Sequence, residues 1–554
     1  MTLVESTRPP YRDPSLPIDE RVDDLLARMT DEEKAAQLGS AWMFELADDG
    51  AFSPEKARPL LRDGLGQVTR VSGASNLGTA EATAFANAVQ RHLVEETRLG
   101  IPAIVHEEIC SGLMARESTI FPQAIGLAST WEPELAEELA ASVRRRMRAI
   151  GAHQGLSPVL DVSRDPRWGR TEETFGEDAH LVSRMGIAFV RGLQGDDLRE
   201  GVIATAKHFV GYGASEAGMN WAPARLGQRE LREVYLHPFE AAVREAGLLS
   251  VMNAYNEIDG VPCTADRELL TTTLRDDWGF DGCVVSDYFA IRQLADYHHL
   301  VPDGAAAAAA ALDAGLDVEL PGTDCYGTPL LDALRTGLVS QSAFDAAVRR
   351  VLCSKFRLGL FDRPYADGTV SDTEDRALAR RIATKSIVLL RNDGLLPLKK
   401  EQTVALIGPN ADEARNLLGD YTYTAHIESL AEMRESGRNV FAMPRGDDVD
   451  VPTITYPTIL DELSERLDVR YARGCDVNTD DRSGFDEAVE PAAASDVAVL
   501  VLGDKAGLTD DCTTGESRDR ASLDLPGVQE ELAAAVLATG TPTLLVLVAG
   551  RPCG

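Results

Sequence analysis

The sequence predicts an α/β protein with an N-terminal TIM-like (β/α)8 barrel followed by an α/β sandwich domain. Short apolar or β-branched runs alternate with longer amphipathic stretches over the first 365 residues, and a second series of such runs follows residue 385. Buried strands that alternate with helices indicate parallel sheets. The length of 554 residues also exceeds what one ordinary core holds, which predicts at least two domains.

The predicted barrel occupies residues 1–365. Amphipathic stretches such as 133–150 and 226–246 predict helices, and the alanine run 305–311 is a strong helix former. Six or more β/α units in about 340 residues favour a closed barrel over an open sheet. Six runs are too short for helices and predict its strands: 102–106, 155–162, 202–209, 248–255, 283–287 and 316–320.

The second domain is predicted at 385–554, after a linker at 366–384 that follows a stretch rich in Pro, Gly and Asp. The polar, aperiodic segment 420–455 predicts a loop insertion. The chain ends at Gly554, directly after a strand without a covering helix, so we expect this domain to be truncated at its C-terminus. Three apolar runs predict its parallel strands: 403–408, 496–504 and 542–550.

The charge balance argues against several classes of partner. Asp and Glu outnumber Lys and Arg by 89 to 55, and a net charge of −34 repels phosphate backbones and anionic membranes. We therefore expect no nucleic-acid and no membrane partner. The N-terminus lacks a secretory pattern and no apolar run could span a bilayer, so the predicted location is cytoplasmic. The eight cysteines include no CxxC pair, which argues against a zinc ribbon.

Polar side chains follow several of the predicted barrel strands. In a parallel barrel the reactive groups lie at the C-terminal ends of the strands, where the loops form the pocket. The sequence therefore predicts one pocket that gathers these groups, which are His106, Glu107, Glu108, Lys207, His208, Tyr255 and Asp287.

Paired carboxyl groups in such a pocket suit glycoside hydrolysis. A retaining enzyme uses one ionised carboxylate as nucleophile and a second carboxyl group as acid and base. Nearby cations favour the ionised state of the nucleophile. Spacing and periodicity leave open which carboxyl groups fill these roles.

Five segments together resemble glycoside hydrolase family 3, and they follow the family's order over nearly the whole chain. The strongest motifs are DPRWGR with FGED, KHF, VSDY and GESRDR. The segments lie at 99–131, 157–182, 204–213, 250–288 and 515–532.

The resemblance implies a retaining, exo-acting β-glycosidase that needs neither metal nor cofactor. It places the nucleophile at Asp287, in the VSDY motif, and the acid/base at Glu516, in GESRDR. The implied substrate is a small carbohydrate with a terminal β-D-glucosyl or β-D-xylosyl residue. A homo-oligomer is left open.

The resemblance also implies residues that hold the terminal sugar. Arg170, Lys207 and His208 can donate to its hydroxyls, whereas Glu108 can accept from two of them. Tyr255 completes the implied set. Glu108 departs from the Asp of many members, and the HEE form resembles the branch that acts on β-xylosides and β-glucosides.

Other functions stay open or are disfavoured. The N-acetylglucosaminidase branch uses a second histidine in the loop after KH, and this chain reads KHFVGYGASEAGMN. Specificity for α-L-arabinofuranosides, or a catalytically impaired or non-catalytic sugar-binding fragment, is not excluded by the residues. A nucleotide-binding enzyme is disfavoured because the chain lacks a GxGxxG or GxxxxGK[ST] segment at a strand-to-helix turn.

Overall fold

Two separate parallel sheets, each flanked by helices, make up the fold. The computed structural model describes residues 9–368, 373–436 and 450–554. One large hydrophobic core fills the region of the first sheet, and two smaller cores lie on the second. Ala405 and Val404 belong to different small cores, because successive side chains of a strand point to opposite faces. This confirms the predicted α/β class and the two-sheet organisation.

The first sheet is a curled parallel sheet of seven strands in chain order. Each strand pairs in parallel with the next, so all the C-terminal ends lie at one rim. The strands are β1 (Ser40–Trp42), β2 (Gln67–Thr69), β3 (Ile104–Glu107), β4 (Gln154–Gly155), β5 (Ile203–Phe209), β6 (Ser250–Asn253) and β7 (Cys283–Val285).

The strands predicted in this region differ from those of the structure in three respects: two strands were missed, one predicted strand is shorter, and one forms only a bridge. The sequence missed β1 and β2, which have three residues each and carry polar side chains. The run 155–162 is strand only at its start, in β4. The run 316–320 makes a bridge from Val318 to Val285, and the Glu319 N–H donates to the carbonyl of Leu38 at 2.8 Å. That run therefore lies between β7 and the chain that enters β1.

Helices cover the outside of this sheet. The predicted helix at 133–150 is confirmed. The predicted helix at 226–246 is interrupted by a π-helical segment, Leu231–Tyr235, which lies between two α-helices. The alanine run is helical, and its first turn is capped by Asp303. The helices are Ile18–Leu26, Asp31–Leu38, Pro54–Leu61, Thr79–Glu96, Ala124–Ala128, Pro133–Ala149, Ala179–Gln194, Gln228–Glu230, His237–Ala246, Ala290–Asp296, Gly304–Ala314, Thr328–Thr336 and Gln341–Arg357, with a π-helical segment at Glu268–Asp277.

A helix, Thr373–Ser386, occupies much of the predicted linker. It packs on the first region, where Asp375 binds Arg146 at 2.8 Å. The apolar run 387–390 that follows it is exposed. The predicted domain boundaries stay a prediction.

The second sheet has four parallel strands in the order β9-β8-β10-β11. All three predicted runs form strands, and β9 was missed because it is not a continuous apolar run, although its polar and apolar residues alternate as in a half-buried edge strand. The strands are β8 (Thr403–Ile407), β9 (Asp468–Ala472), β10 (Val497–Gly503) and β11 (Thr543–Val548), and the helices of this domain are Tyr423–Ser436, Ile459–Ser464, Phe485–Ala493 and Gln529–Leu537.

The loop predicted at 420–455 was wrong over its first part, which contains the helix Tyr423–Ser436. Residues 421–427 are buried on all sides, the polar Thr422, Thr424 and His426 among them. Because the beginning of this helix is buried on all sides, it presents no polar face there, and this part of the sequence lacks the amphipathic period that reveals surface helices. Residues 437–449 of the predicted loop lie outside the described part of the chain.

A membrane-spanning helix would need a long apolar stretch. Among the residues that the structure describes, no helix combines the length and apolar character required to cross a membrane.

Candidate active site

The first sheet brings four of the polar groups predicted at strand ends together at one rim, whereas the carboxylate of Glu107 accepts the backbone N–H groups of Ser72 and Gly73. Glu108 directly follows β3, Lys207 and His208 lie in β5, and Asp287 follows β7 by two residues. Each of these four residues is at most 7% exposed. The pocket is therefore a buried, charged site at the C-terminal rim of the sheet.

Asp287 is held at its backbone and has one unengaged oxygen. Its N–H donates to Asn253 at 3.1 Å, and its Oδ1 accepts the N–H of Tyr288 at 2.8 Å. Oδ2 is buried and has no hydrogen-bond partner among the described residues, with Nε2 of His208 3.7 Å away. A carboxylate oxygen with this freedom can attack an electrophile without first breaking a bond.

The charge state of Asp287 reflects opposing influences. Burial raises the pKa of Asp287 to about 7, with Glu516 acting in the same direction, while Arg170 and Lys207 oppose the rise. The two cations therefore favour the ionised form that a nucleophile requires.

His208 is a neutral ring. Burial, with Arg170 and Lys207 nearby, lowers the pKa of His208 well below its usual value. Its Nδ1 lies 2.8 Å from Oδ2 of Asp161, so a neutral ring donates there and keeps Nε2 as an acceptor. His208 can thus accept from a hydroxyl beside Asp287, which corrects the expectation that it donates, because Asp161 takes the one ring proton.

Glu108 is an ionised acceptor between two cations. Lys207 Nζ lies 3.0 Å from its Oε2, and Arg70 Nη2 lies 2.9 Å from its Oε1. Burial opposes ionisation, but Lys207 and Arg70 outweigh it and lower the pKa of Glu108 to about 2. Oε1 keeps a further lone pair, and the second contact of Oε2 is a long one, from the thiol of Cys110 at 4.0 Å, so the carboxylate suits recognition of adjacent hydroxyls.

Glu516 comes from the second domain and meets the predicted arginine of the first. Arg170 Nη1 lies 3.2 Å from Oε1 of Glu516, and the Tyr421 hydroxyl donates to Oε2 at 2.8 Å. Glu173 holds Arg170 through two bonds of 2.7 and 2.8 Å. The side chain of Glu516 keeps 15% exposure, more than the 10% of Asp287.

Backbone contacts between the domains fix this loop over the pocket. The Gly515 N–H donates to the carbonyl of Gly169 at 2.9 Å, and the Gly169 N–H donates to Asp519 at 2.8 Å. A Cβ at Gly169 would lie 2.0 Å from the Gly515 carbonyl oxygen, so only glycine permits this approach.

Tyr255 contributes a ring rather than a free hydroxyl. Its hydroxyl donates to the carbonyl of Tyr288 at 2.9 Å. Its ring lies 5.2 Å from that of Trp221 and 6.0 Å from that of Tyr212. The structure thus places Tyr255 in an aromatic wall, where it can pack against a bound ligand.

Sequence reasoning missed three residues of this site: Arg70, Tyr421 and His426. Arg70 directly follows β2, which the sequence analysis did not predict. A prediction of this strand would have placed Arg70 at its C-terminal end, among the pocket residues. The other two lie in the segment predicted as a loop, and the rings of His426 and Tyr421 pack at a tilt of 60° with their centroids 4.8 Å apart. Asp161 and Glu173 lie within the segment 157–182 that resembles the family, but the sequence analysis gave them no role.

One group of residues among those described has the spacing of metal ligands: Glu319, Asp324 and Cys325. The Glu319 carboxylate already accepts three backbone N–H groups, and Asp324 binds Arg292 at 2.6 Å. Because its oxygens are engaged, this group serves as a loop cap.

Two family models match the chain. The glycosyl hydrolase family 3 N-terminal domain matches residues 30–353, and the C-terminal domain of the same family matches residues 387–554. The two models together span both sheets and every predicted site residue.

Relatives with curated names agree with the family models. A β-xylosidase of Formosa agariphila is 40% identical over 82% of this chain and 63% of its own length. A periplasmic β-glucosidase of Salmonella typhimurium is 33% identical over 96% of this chain and 68% of its own length. The chain thus spans about two thirds of the length of these relatives.

Solved structures resemble the whole described fold. A β-glucosidase of Erythrobacter marinus has a TM-score of 0.82 and 34% identity, covering 98% of this chain and 73% of its own. A glucose complex of the Listeria innocua β-glucosidase has a TM-score of 0.81 and 31% identity, covering 97% and 70%. The chain therefore belongs to glycosyl hydrolase family 3.

Proposed function

We propose that the chain is a retaining, exo-acting β-glycosidase that removes terminal β-D-glucosyl or β-D-xylosyl residues from oligosaccharides or glycosides. The observation that supports this most strongly is the pairing of two unlike carboxyl groups. Asp287 is buried with an unengaged oxygen, whereas Glu516 reaches the pocket from another domain and is more exposed. A retaining glycosidase needs two carboxyl groups at one site, one as nucleophile and one as acid and base, and these two carboxyl groups meet that requirement.

The proposed reaction has two steps. Asp287 attacks the anomeric carbon and forms an ester to the sugar, while the bond to the leaving oxygen breaks and that oxygen takes the proton of Glu516. Glu516 then takes a proton from water as the water attacks the same carbon and releases Asp287. The products are a free sugar of retained configuration and an alcohol.

The remaining residues are proposed to bind the sugar. Glu108 accepts from two hydroxyls, and Lys207 and Arg170 donate to hydroxyls while favouring the ionised nucleophile. We further propose that the run 316–320 acts as the eighth strand that closes the curled sheet into a (β/α)8 barrel. The cytoplasmic location stays a prediction.

A panel of nitrophenyl glycosides tests the proposed function. We expect release from the β-glucoside, the β-xyloside or both, less from the α-L-arabinofuranoside, and none from the β-N-acetylglucosaminide. Proton NMR of the first product should show the β-anomer before mutarotation. Folded protein that is inactive on all four, or a product that first appears as the α-anomer, would contradict the proposal.

The pH dependence should reveal the buried nucleophile. Since Asp287 acts as a carboxylate and burial raises its pKa to about 7, kcat/KM should fall as the pH drops below this value. Lys207 lowers the pKa of Asp287, so Lys207→Met should move the acidic limb of kcat/KM to higher pH. The exposed Lys399→Met removes the same charge and should leave the limb unchanged. An unmoved limb in Lys207→Met would contradict this electrostatic coupling.

A further inference from the structure

His426 reaches the pocket from the second domain, in the first turn of the helix Tyr423–Ser436. It is 7% exposed, and its ring lies 4.8 Å from that of Tyr421, whose hydroxyl binds Glu516. Its Nδ1 lies 3.5 Å from Nη1 of Arg70. Arg70 in turn binds Glu108, so His426 stands beside the residue proposed to accept the sugar hydroxyls.

The contact with Arg70 sets the tautomer of the ring. Burial lowers the pKa of His426 to about 3, with Arg70 acting in the same direction, so the ring is neutral and carries one proton. A guanidinium only donates hydrogen bonds, and Nδ1 of His426 must therefore accept from Arg70. The proton lies on Nε2, which becomes a donor.

This donor has no acceptor in the part of the chain that the structure describes. Nε2 of His426 is buried and lacks a hydrogen-bond partner among the described residues. An unsatisfied buried donor is costly, and native proteins rarely keep one without a ligand, ion or water to pair with it. The neighbouring Lys207 and Arg170 carry positive charge and offer no lone pair.

We propose that His426 is a sugar-binding residue whose Nε2–H donates to a hydroxyl oxygen of the terminal pyranose held by Glu108. The inference rests on the proposed glycosidase function, because it takes the ligand of this pocket to be a sugar. It assigns the second domain a part in recognising the terminal sugar, in addition to supplying the acid/base. A hydroxyl suits the donor because it is a neutral acceptor that needs no countercharge.

Two isosteric variants separate this role from a merely structural one. His426→Gln carries its amide nitrogen near the position of Nε2, whereas His426→Asn carries its amide oxygen near Nδ1 and keeps the acceptor for Arg70. Titration calorimetry with D-glucose and D-xylose should show roughly 10-fold weaker binding in His426→Asn and nearly unchanged binding in His426→Gln. The reverse order would overturn the proposal and indicate that His426 serves only to orient Arg70.

Deoxy sugars identify the contacted hydroxyl. Binding of 2-, 3-, 4- and 6-deoxyglucose is compared between the unchanged protein and His426→Asn. One of them should bind both proteins equally, because it lacks the acceptor that His426 uses. An equal loss for every sugar, or no sugar binding to the unchanged protein, would overturn the inference. Binding without hydrolysis would instead count against the proposed function and leave this contact standing.

Discussion

Asp287→Asn is expected to abolish turnover, lowering kcat on an aryl β-glycoside by about 10⁴-fold or more. The amide keeps the size of the carboxylate and an oxygen that can accept the Tyr288 N–H, but it cannot form the glycosyl ester. Steady-state kinetics on the substrate found in the nitrophenyl panel measures the loss. Asp313→Asn makes the same change at an exposed site and should keep the original rate.

The same substitution should not destabilise the protein. Because the folded pKa of Asp287 lies above its unfolded value, ionisation of this carboxyl costs stability as the pH rises from about 4 to about 7. Asparagine is neutral at every pH, so the Tm of Asp287→Asn at pH 8 should equal or exceed that of the unchanged protein. A large drop in Tm would mean that the lost activity reports misfolding.

Covalent trapping assigns the nucleophile directly. A 2-fluoro glycoside with an activated leaving group should glycosylate the unchanged protein, with loss of that leaving group, and add one fluoroglycosyl mass, located by peptide mass spectrometry at Asp287. Asp287→Asn should take up no label. A label on another carboxyl group, or turnover by Asp287→Asn close to the original rate, would contradict the assignment of Asp287 as the nucleophile.

The residues at the ends of recognised strands could be predicted from the sequence. Runs such as CVVSD and VIATAKHF show both a buried strand and the polar group that ends it. The rule that reactive groups lie at the C-terminal rim then places Asp287 and Lys207 in one pocket. Family resemblance added the roles, and the structure shows that these side chains do converge.

Residues whose neighbours are distant in sequence could not be predicted in this way. Arg70 follows a three-residue strand that leaves no periodic signal. Tyr421 and His426 lie in a segment buried on all sides, where the amphipathic pattern is lost. Their contacts with Glu516 and Arg70 arise from packing between the two domains, which no local pattern encodes.

The site is therefore shared between the domains in an unequal way. The first sheet supplies Asp287, the proposed nucleophile, and the ion pairs around Glu108, all deeply buried. The second domain supplies Glu516, whose carboxylate is held by the hydroxyl of Tyr421 and by the guanidinium of Arg170 from the first domain. If Glu516 is the acid and Asp287 the nucleophile, as proposed, any change that loosens the contact between the domains should impair the function of Glu516 before that of Asp287.

Glu516→Ala should slow hydrolysis in proportion to how much the leaving group needs a proton. General acid catalysis contributes roughly 10²–10⁴-fold, so disaccharides and alkyl glycosides should lose about that much. A dinitrophenyl glycoside leaves without a proton, and its first step should be nearly unaffected. Azide should then accelerate the second step and yield a β-glycosyl azide, since the small anion attacks without a base.

Tyr421→Phe supplies a graded version of the same test. It keeps the ring and removes only the hydroxyl that donates to Glu516, so it should show a smaller loss with the same dependence on the leaving group. Tyr423→Phe is the matched control, because the Tyr423 hydroxyl donates instead to the carbonyl of Ser75 at 2.8 Å. Equal losses on all leaving groups in Glu516→Ala would place the acid elsewhere. If Glu516→Ala shows the expected dependence on the leaving group but Tyr421→Phe loses no activity on any of them, Arg170 is sufficient to orient Glu516.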